Sequence, residues 1–190
     1  MKRALLVATL FAGTLAGCGS PAITDYTTSR DSLFYLKQIK PTKVSVGEFR
    51  GPDNFDKDGG RLLWGCDLPS TEDEALDIAP LLYLREAFVE ELTASGSLSA
   101  IPVEPELSGI VTQMSLDRDL VFDGTWSIEL LLKSSNGAEL LVREEYGFDI
   151  GAFFGPTLCQ EAVRNFEPAV RSLLEKAIQS PDFPALVKAS

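Results

Sequence analysis

The fold is decided by a stretch that reads TWSIELLLKSSNGAELLVREEYGF, from Thr125 to Phe148. Apolar and polar residues alternate on both sides of the dipeptide Asn136-Gly137, which is the pattern of two half-buried strands. An Asn-Gly pair between such runs favours a type I′ turn, because both central residues of that turn need positive φ. The stretch therefore predicts an antiparallel β-hairpin with strands over 125–133 and 139–148.

Further strands are predicted on the amino-terminal side of the hairpin. Residues 44–49 alternate as a half-buried strand does, and the segments 98–103 and 107–116 follow later in the chain. Leu62-Leu63-Trp64 forms either a short strand or a loop packed on the core. With the hairpin, these segments predict a sheet of about five strands.

The first predicted helix lies between the strands at 44–49 and 107–116. Asp77 is its candidate N-cap, Pro80 falls in its first turn and Gly96 closes it. Its apolar residues are spaced to form one stripe: Leu81, Leu84, Phe88 and Leu92. Charged residues fall largely on the opposite side: Arg85, Glu86, Glu90 and Glu91.

The second predicted helix starts at Thr157, and Gln160 completes a capping-box pattern. It buries six apolar residues: Val163, Phe166, Val170, Leu173, Leu174 and Ile178. Pro168 should kink this helix or split it in two, because it removes one hydrogen bond and clashes with the preceding turn. Each apolar stripe must be buried against a second layer. The expected fold is therefore α/β of the α+β type, a two-layer sandwich with a mixed, mostly antiparallel sheet and two helices on one face.

The amino terminus predicts export. Lys2-Arg3 precedes a short apolar run, and Leu15-Ala16-Gly17-Cys18 resembles the site at which bacterial lipoproteins receive diacylglycerol and are cleaved before the cysteine. The resemblance implies that residues 1–17 are a signal peptide and that Cys18 carries two or three acyl chains. At about 0.8 kcal/mol for each buried methylene, such chains give a lasting membrane anchor.

Residues 18–40 are predicted to be the acylated cysteine and a flexible tether, and residues 41–190 a single periplasmic domain. The segment 19–30 is rich in Ser, Thr, Pro and Asp and lacks either hydrophobic period. A flexible tether of this length would reach on the order of 25 Å. Gly19, rather than Asp, follows the cysteine, which resembles sorting to the outer membrane.

Charge restricts the partners of the domain. The full chain has 17 basic and 28 acidic residues, and loss of Lys2 and Arg3 with the signal peptide leaves a net charge of −13. This charge repels nucleic acid and anionic lipid. We therefore expect no nucleic-acid partner, and membrane contact through the acyl chains alone.

Two cysteines remain after lipidation, Cys66 and Cys159. In an oxidising compartment such a pair predicts a disulfide, which would close a loop of roughly 90 residues and stabilise by about 4 to 5 kcal/mol. Two alternatives stay open: a pair of buried free thiols, and a reactive thiol at Cys159 near a helix N-terminus.

The segment from Asn54 to Gly59 matches the first half of a calcium loop, with oxygen donors at Asn54, Asp56 and Asp58. Gly65 stands where the closing bidentate Glu should be. A solvated acidic turn is the simpler interpretation, so no metal site is expected, and a weak calcium site is the alternative.

Catalytic chemistry has little basis in the sequence. The chain has no His, which excludes His-based triads and His-ligated zinc. Its glycines form neither a Walker loop nor a dinucleotide fingerprint. We therefore expect no enzymatic activity and no cofactor.

One loop is a candidate for partner binding. Phe153 and Phe154 lie between Gly151 and Gly155, after the hairpin and before the last helix. They either fill a gap in the core or form an exposed tip that binds a partner.

The order of elements resembles a group of small envelope lipoprotein domains. The opening strand Val-Ser-Val-Gly-Glu-Phe, the helix segment from Leu84 to Gly96, the strand at 107–110 and the Asn136-Gly137 hairpin carry the likeness over most of residues 43–178. The group comprises the TolB N-terminal domain, lipoprotein activators of penicillin-binding proteins, the curli-secretion lipoprotein and auxiliary lipoproteins of ABC lipid transporters. The resemblance implies an accessory subunit of a cell-envelope assembly with a protein partner. The alternative is a lipid- or small-molecule-binding auxiliary component of an ABC-type transport system.

Overall fold

A computed structural model describes residues 24–51, 79–118, 123–150 and 156–189. In chain order the elements are α1 (Arg30–Ile39), β1 (Ser45–Arg50), α2 (Pro80–Ser95), β2 (Glu106–Arg118), β3 (Asp123–Ser134), β4 (Glu139–Asp149), α3 (Pro156–Gln179) and α4 (Phe183–Leu186).

The sheet has the strand order β1-β2-β3-β4. β1 pairs with β2 in parallel, and the other two pairs are antiparallel. α2 packs against β1, and α3 packs against β3 and β4. The predicted α/β sandwich with a mixed, mostly antiparallel sheet is therefore confirmed.

The described residues form four strands rather than about five. Of the segment 98–103, only Leu98 pairs with the sheet, through an isolated bridge to Val44. Pro102 and Pro105 have no backbone N–H, so this part of the chain has fewer donors for a ladder. The possible strand at 62–64 lies outside the described residues.

The hairpin of β3 and β4 is confirmed, but its turn differs from the predicted one. Gly137 has a φ of 91°, whereas Asn136 is not among the described residues with positive φ. The Gly137 N–H donates to the Ser134 carbonyl at 2.9 Å. Since a type I′ turn needs positive φ at two successive residues, this turn is of another type.

α2 confirms the first predicted helix. Leu84, Phe88 and Leu92 are fully buried, and Gly96 ends the helix with a φ of 76°. Ala79 takes the N-cap position in place of Asp77, which lies outside the described residues. The expected charged face is wrong at one position, because Glu91 is 0% exposed.

α3 confirms the second predicted helix, starting at Pro156 rather than Thr157. It continues through Pro168 as one helix, so of the two expected effects of this proline the split is wrong and the kink stays a prediction. All six residues of its predicted apolar stripe are buried. The burial of these residues holds both halves of α3 against the sheet. It offsets the free-energy cost of having Pro168 inside the helix.

α1 occupies Arg30–Ile39, the carboxy-terminal part of the segment 18–40 that was predicted to be a flexible tether. Ser29 caps it by accepting from the N–H groups of Asp31 and Ser32, and Leu36 is buried. α1 packs against α2 and α3, which covers the side of α2 that carries Glu91. The folded domain therefore begins before Pro41.

The core lies between the sheet and the helices. Trp126 on β3 is fully buried, donates from Nε1 to the Ala162 carbonyl at 3.0 Å and packs edge-on against Phe166 at 5.2 Å. Among the described residues, none of the helices combines the length and apolar character that crossing a bilayer requires.

Candidate functional site: a strap bound by glutamates and an adjacent groove

The residues that the sequence singled out for function lie outside the described part of the chain. They are Cys18, Asn54, Asp56, Asp58, Cys66, Phe153 and Phe154. Cys159 falls in the first turn of α3, and its side chain also lies outside that part. The roles assigned to these residues stay predictions.

The candidate site in the described residues is built around Glu91. Residues 24–29, here called the strap, run across α2 and lead into α1. Oε1 of Glu91 accepts two hydrogen bonds from the strap, one from the Tyr26 hydroxyl at 2.6 Å and one from the Ser29 N–H at 2.7 Å. A carboxylate of the helix layer thus binds the segment that precedes α1.

Two glutamates of α3 bind the strap from its other side. Ser29 Oγ donates to Glu175 Oε2 at 2.9 Å, and the Thr27 N–H donates to Glu167 Oε1 at 3.3 Å. Arg171 forms an ion pair with Glu167 at 3.5 Å. Three glutamates from two helices therefore fix one short segment of chain.

Tyrosines hold the beginning of the strap. The Tyr83 hydroxyl on α2 donates to the Thr24 carbonyl at 3.0 Å, and the Tyr26 and Tyr83 rings meet edge-on at 6.5 Å. The chain is thus attached to the domain from Thr24 onward.

Burial dominates the electrostatics of the site. Desolvation raises the pKa of Glu91, and the hydrogen bonds from Ser29 and Tyr26 only partly oppose it. Glu175 raises the Glu91 pKa further, and Arg171 lowers it. Burial, with the hydrogen bond to Glu91 second, also raises the pKa of Tyr26.

The shifted pKa of Glu91 has a structural cause rather than a catalytic one. A catalytic acid or base must face a cleft that admits substrate. Glu91 is fully buried, and the strap occupies its Oε1. Its chemistry is to hold the amino-terminal segment.

An open groove of about 290 Å³ lies beside the strap, between α3 and β4. It is lined by Tyr146, Pro168, Arg171, Ser172, Glu175, Lys176 and Gln179. Lys176 pairs with Glu144 at 2.6 Å, so both cations of the groove are bound to buried carboxylates. Most of the lining side chains are polar or charged, which suits a small ligand that carries polar groups.

No metal centre is built from the described residues, since none of their His, Cys, Asp and Glu side chains form a group of three or more that could hold an ion. What the described site can do is bind and orient a segment of chain, and accept a small polar ligand next to it.

Sequence reasoning missed the strap, and it placed Glu91 on the wrong side of α2. A signal for α1 was present, since Ser29 is a good N-cap and Leu33, Leu36 and Ile39 recur at helical spacing. The polar composition of residues 19–30 outweighed that pattern. No signal in the sequence marks Glu91, because its neighbours on the strap are 62 and 65 residues away.

No protein-family model and no curated protein matches the chain. Among solved structures the chain is similar to the crystal structure of protein XCC0632 from Xanthomonas campestris, described under the family model DUF330, with a TM-score of 0.48 and 12% identity over 72% of this chain and 84% of that one. It is also similar to the crystal structure of an uncharacterized protein, with a TM-score of 0.44 and 13% identity over 73% and 92% of the two chains. Neither description names an activity, a ligand or a partner.

Proposed function

We propose that this protein is a lipid-anchored lipoprotein of the bacterial outer membrane that faces the periplasm and acts as a non-enzymatic accessory subunit of a cell-envelope assembly. The observation that carries the proposal is the Leu15-Ala16-Gly17-Cys18 box after a basic and apolar segment. The absence of His from the whole chain, and the use of Glu91 to bind the strap, support a role in binding rather than catalysis.

The strap changes how the proposed anchor would work. If Cys18 carries the acyl chains, only six residue steps join it to Thr24, whose carbonyl is bound by Tyr83. A fully extended chain of that length spans about 20 Å at most. The domain then stays close to the membrane surface, where it meets partners that are themselves embedded in or bound to the bilayer.

Anchoring is tested with the substitution Cys18→Ser in cells fed labelled palmitate. The wild-type chain should incorporate the label and sediment with the outer membrane, and C18S should lose the label. Cys66→Ser is the matched control, and it should keep both properties. Labelled C18S protein would contradict the anchor.

The partner-binding role of Phe153 and Phe154 is tested by changing both to Ser. Cross-linking in intact cells should then capture less of the envelope partner, while the melting temperature stays within a few degrees of the wild type. Phe34→Ser is a suitable control, because Phe34 is 72% exposed on α1. A large fall in melting temperature would instead assign Phe153 and Phe154 to the core.

The disulfide between Cys66 and Cys159 belongs to the same proposal, because it requires an oxidising compartment. Peptide mass spectrometry of non-reduced protein from the periplasm should show the linked pair. Two free thiols in that sample would rule the disulfide out.

The polar groove favours one version of the alternative function, a transport auxiliary that binds a small polar molecule. Native mass spectrometry of protein released from membranes should then show an adduct that is lost in the variant Lys176→Ala. Adduct-free wild-type protein would leave the accessory role as the proposal.

A further inference from the structure

One face of the sheet is free of helices in the described part of the chain. Along β3 and β4, alternate residues point away from α2 and α3. Leu140 and Val142 are buried on the inner face, whereas Leu141 between them is 48% exposed. The outer face therefore presents side chains that no described helix covers.

The centre of this outer face carries a regular pattern of charge around two leucines. Leu131 lies directly opposite Leu141 in the β3 and β4 pairing. On one side of them Lys133 pairs with Glu139 at 2.7 Å, and on the other side Glu129 forms an ion pair with Arg143. The two cations therefore occupy one diagonal of a square, and the two anions occupy the other diagonal.

Such a square is complementary to itself. When two copies meet face to face through a twofold axis along the strands, Lys133 lies over Glu139 of the other copy and Arg143 lies over Glu129. When the axis runs across the strands, Lys133 lies over Glu129 and Arg143 over Glu139. In both cases leucine meets leucine. A twofold axis along a diagonal of the square would make the strands of the two sheets cross at right angles, and it would place like charges over each other. The charge pattern therefore favours aligned packing of the two sheets over orthogonal packing.

The size and composition of the face fit such an interface. The four strands have 6, 13, 12 and 11 residues. At about 4.8 Å between strands and roughly 3.3 Å per residue, they cover on the order of 700 Å². Two copies would thus bury about 1,400 Å² in total, within the range of specific interfaces. Ile110 on β2 lies opposite Leu131 and widens the apolar centre, while the charged pairs form the rim.

We propose that this protein forms a symmetric dimer through the outer face of its sheet, with Leu131 and Leu141 at the centre and the ion pairs Lys133–Glu139 and Glu129–Arg143 around them. The four charges sum to zero, so the contact adds no repulsion of its own to a strongly acidic chain. Each ion pair already holds its side chains in place within one copy, which reduces the ordering that association requires. The proposal goes beyond the accessory function and does not depend on the acylation of Cys18.

Charge complementation tests the dimer. Glu129→Lys with Glu139→Lys makes all four corners positive, and Lys133→Glu with Arg143→Glu makes all four negative. Full-length chains with two different tags are co-expressed, and self-capture is measured after mild cross-linking in cells. The wild-type chain should capture its differently tagged copy. Each variant should capture a copy of itself at least tenfold less than the wild type does. Co-expression of the two variants should restore capture, because each positive corner then meets a negative one.

Three outcomes would overturn the proposal: a wild-type chain that does not capture itself, a variant that still captures its own kind, or two folded variants that fail to recover capture when mixed. Circular dichroism of each variant establishes that it is folded. Performing the same measurement with Cys18→Ser separates the dimer from the anchor, because the interface should survive when acylation is lost.

Cysteine cross-linking provides a second measurement that does not change the charges. Leu141→Cys alone should form an oxidised dimer if the axis runs across the strands. Leu131→Cys co-expressed with Leu141→Cys should do so if the axis runs along them. Phe34→Cys, exposed on α1 away from the sheet, should give no more dimer than the chain with its native cysteines. Absence of a cross-link in both arrangements would exclude the face-to-face dimer.

Discussion

Glu91 is a buried carboxylate that binds neutral donors rather than a cation. It gains the hydrogen bonds from Tyr26 and Ser29, and it bears the cost of desolvation that raises its pKa. Glu175 and Arg171 act on its charge with opposite sign. Glu91 therefore fixes the position of the strap, whereas its buried surroundings disfavour the charged form of its side chain.

Replacing Glu91 by Gln should remove the charge and keep the acceptor for Tyr26 and Ser29. Because the folded state raises the pKa of Glu91, the folded wild type holds its proton more tightly than the unfolded chain does. The wild type therefore loses stability as the pH rises from the ordinary Glu pKa through the raised one. Urea unfolding between pH 4 and 9 should show a difference, E91Q minus wild type, that grows in favour of E91Q with pH and then levels off.

The variant Glu91→Ala is the control for the hydrogen bonds. It leaves the Tyr26 hydroxyl and the Ser29 N–H without their acceptor, which should lower the free energy of unfolding by about 1 to 3 kcal/mol. A difference between E91Q and the wild type that stays constant with pH would show that Glu91 has an ordinary pKa.

Position 109 on β2 requires glycine, because the ring of Phe49 lies directly beside it. It lies opposite Phe49 of β1, and a Cβ at this position would come within 2.6 Å of the Phe49 ring. Gly109→Ala should therefore displace a buried ring and lower the free energy of unfolding by about 1 to 3 kcal/mol.

Gly147 on β4 provides the matched control for Gly109. A Cβ there has nothing within 4 Å, so Gly147→Ala should change the free energy of unfolding by no more than about 0.5 kcal/mol. Chemical denaturation of the two variants checks the comparison. Equal effects would show that Phe49 moves aside without cost.

The turn between β3 and β4 also binds α4 and the residues after it. Asn136 Nδ2 donates to the carbonyls of Ala185 at 2.9 Å and Lys188 at 2.8 Å, and its Oδ1 accepts from the Ala138 N–H. The hydroxyl of Ser134 donates to the Leu186 carbonyl at 2.7 Å. The hairpin turn thus fixes α4 and the residues after it.

Asn136→Asp should detach that segment, because the carboxylate keeps the acceptor for Ala138 and loses both donors to the carbonyls. We expect a loss of about 1 to 3 kcal/mol and faster hydrogen exchange in Phe183–Leu186. Lys188→Ala is the control, since only the backbone carbonyl of Lys188 takes part. Unchanged exchange in N136D would mean that the buried side chains of Phe183 and Leu186 hold α4 alone.

At the scale of the whole molecule, the strap and α1 belong to the domain rather than to a linker. The strap joins α2 to α3 through hydrogen bonds to Glu91, Glu167 and Glu175. α1 then packs against both helices. The amino-terminal part of the domain thus ties together elements that are far apart in the chain.

A chain that begins at Arg30 should be less stable than one that begins at Thr24. It loses the two hydrogen bonds to Glu91, together worth about 1 to 3 kcal/mol, and the N-cap of α1, worth about 1 kcal/mol. At about 2 to 4 °C per kcal/mol for a chain of this size, the melting temperature should fall by roughly 10 °C. Equal melting temperatures would show that the strap is not part of the folded unit.

Local patterns in the sequence were enough for the elements whose residues are neighbours in the chain. The alternation around Asn136-Gly137 determined the hairpin, and the stripe of Leu84, Phe88 and Leu92 determined α2. These patterns work because a strand or helix repeats every two or 3.6 residues, so each face can be identified within a short window. The sandwich follows, since such faces must be buried against each other.

The tertiary structure alone decided what the remaining residues do. Glu91 belongs by spacing to a charged helix face, yet it is buried because α1 and the strap come to lie on it. The charge pattern around Leu131 and Leu141 likewise exists only through the register of β3 and β4. The partners in these cases lie on different elements, and their meeting depends on how the elements pack, which no local period in the sequence records.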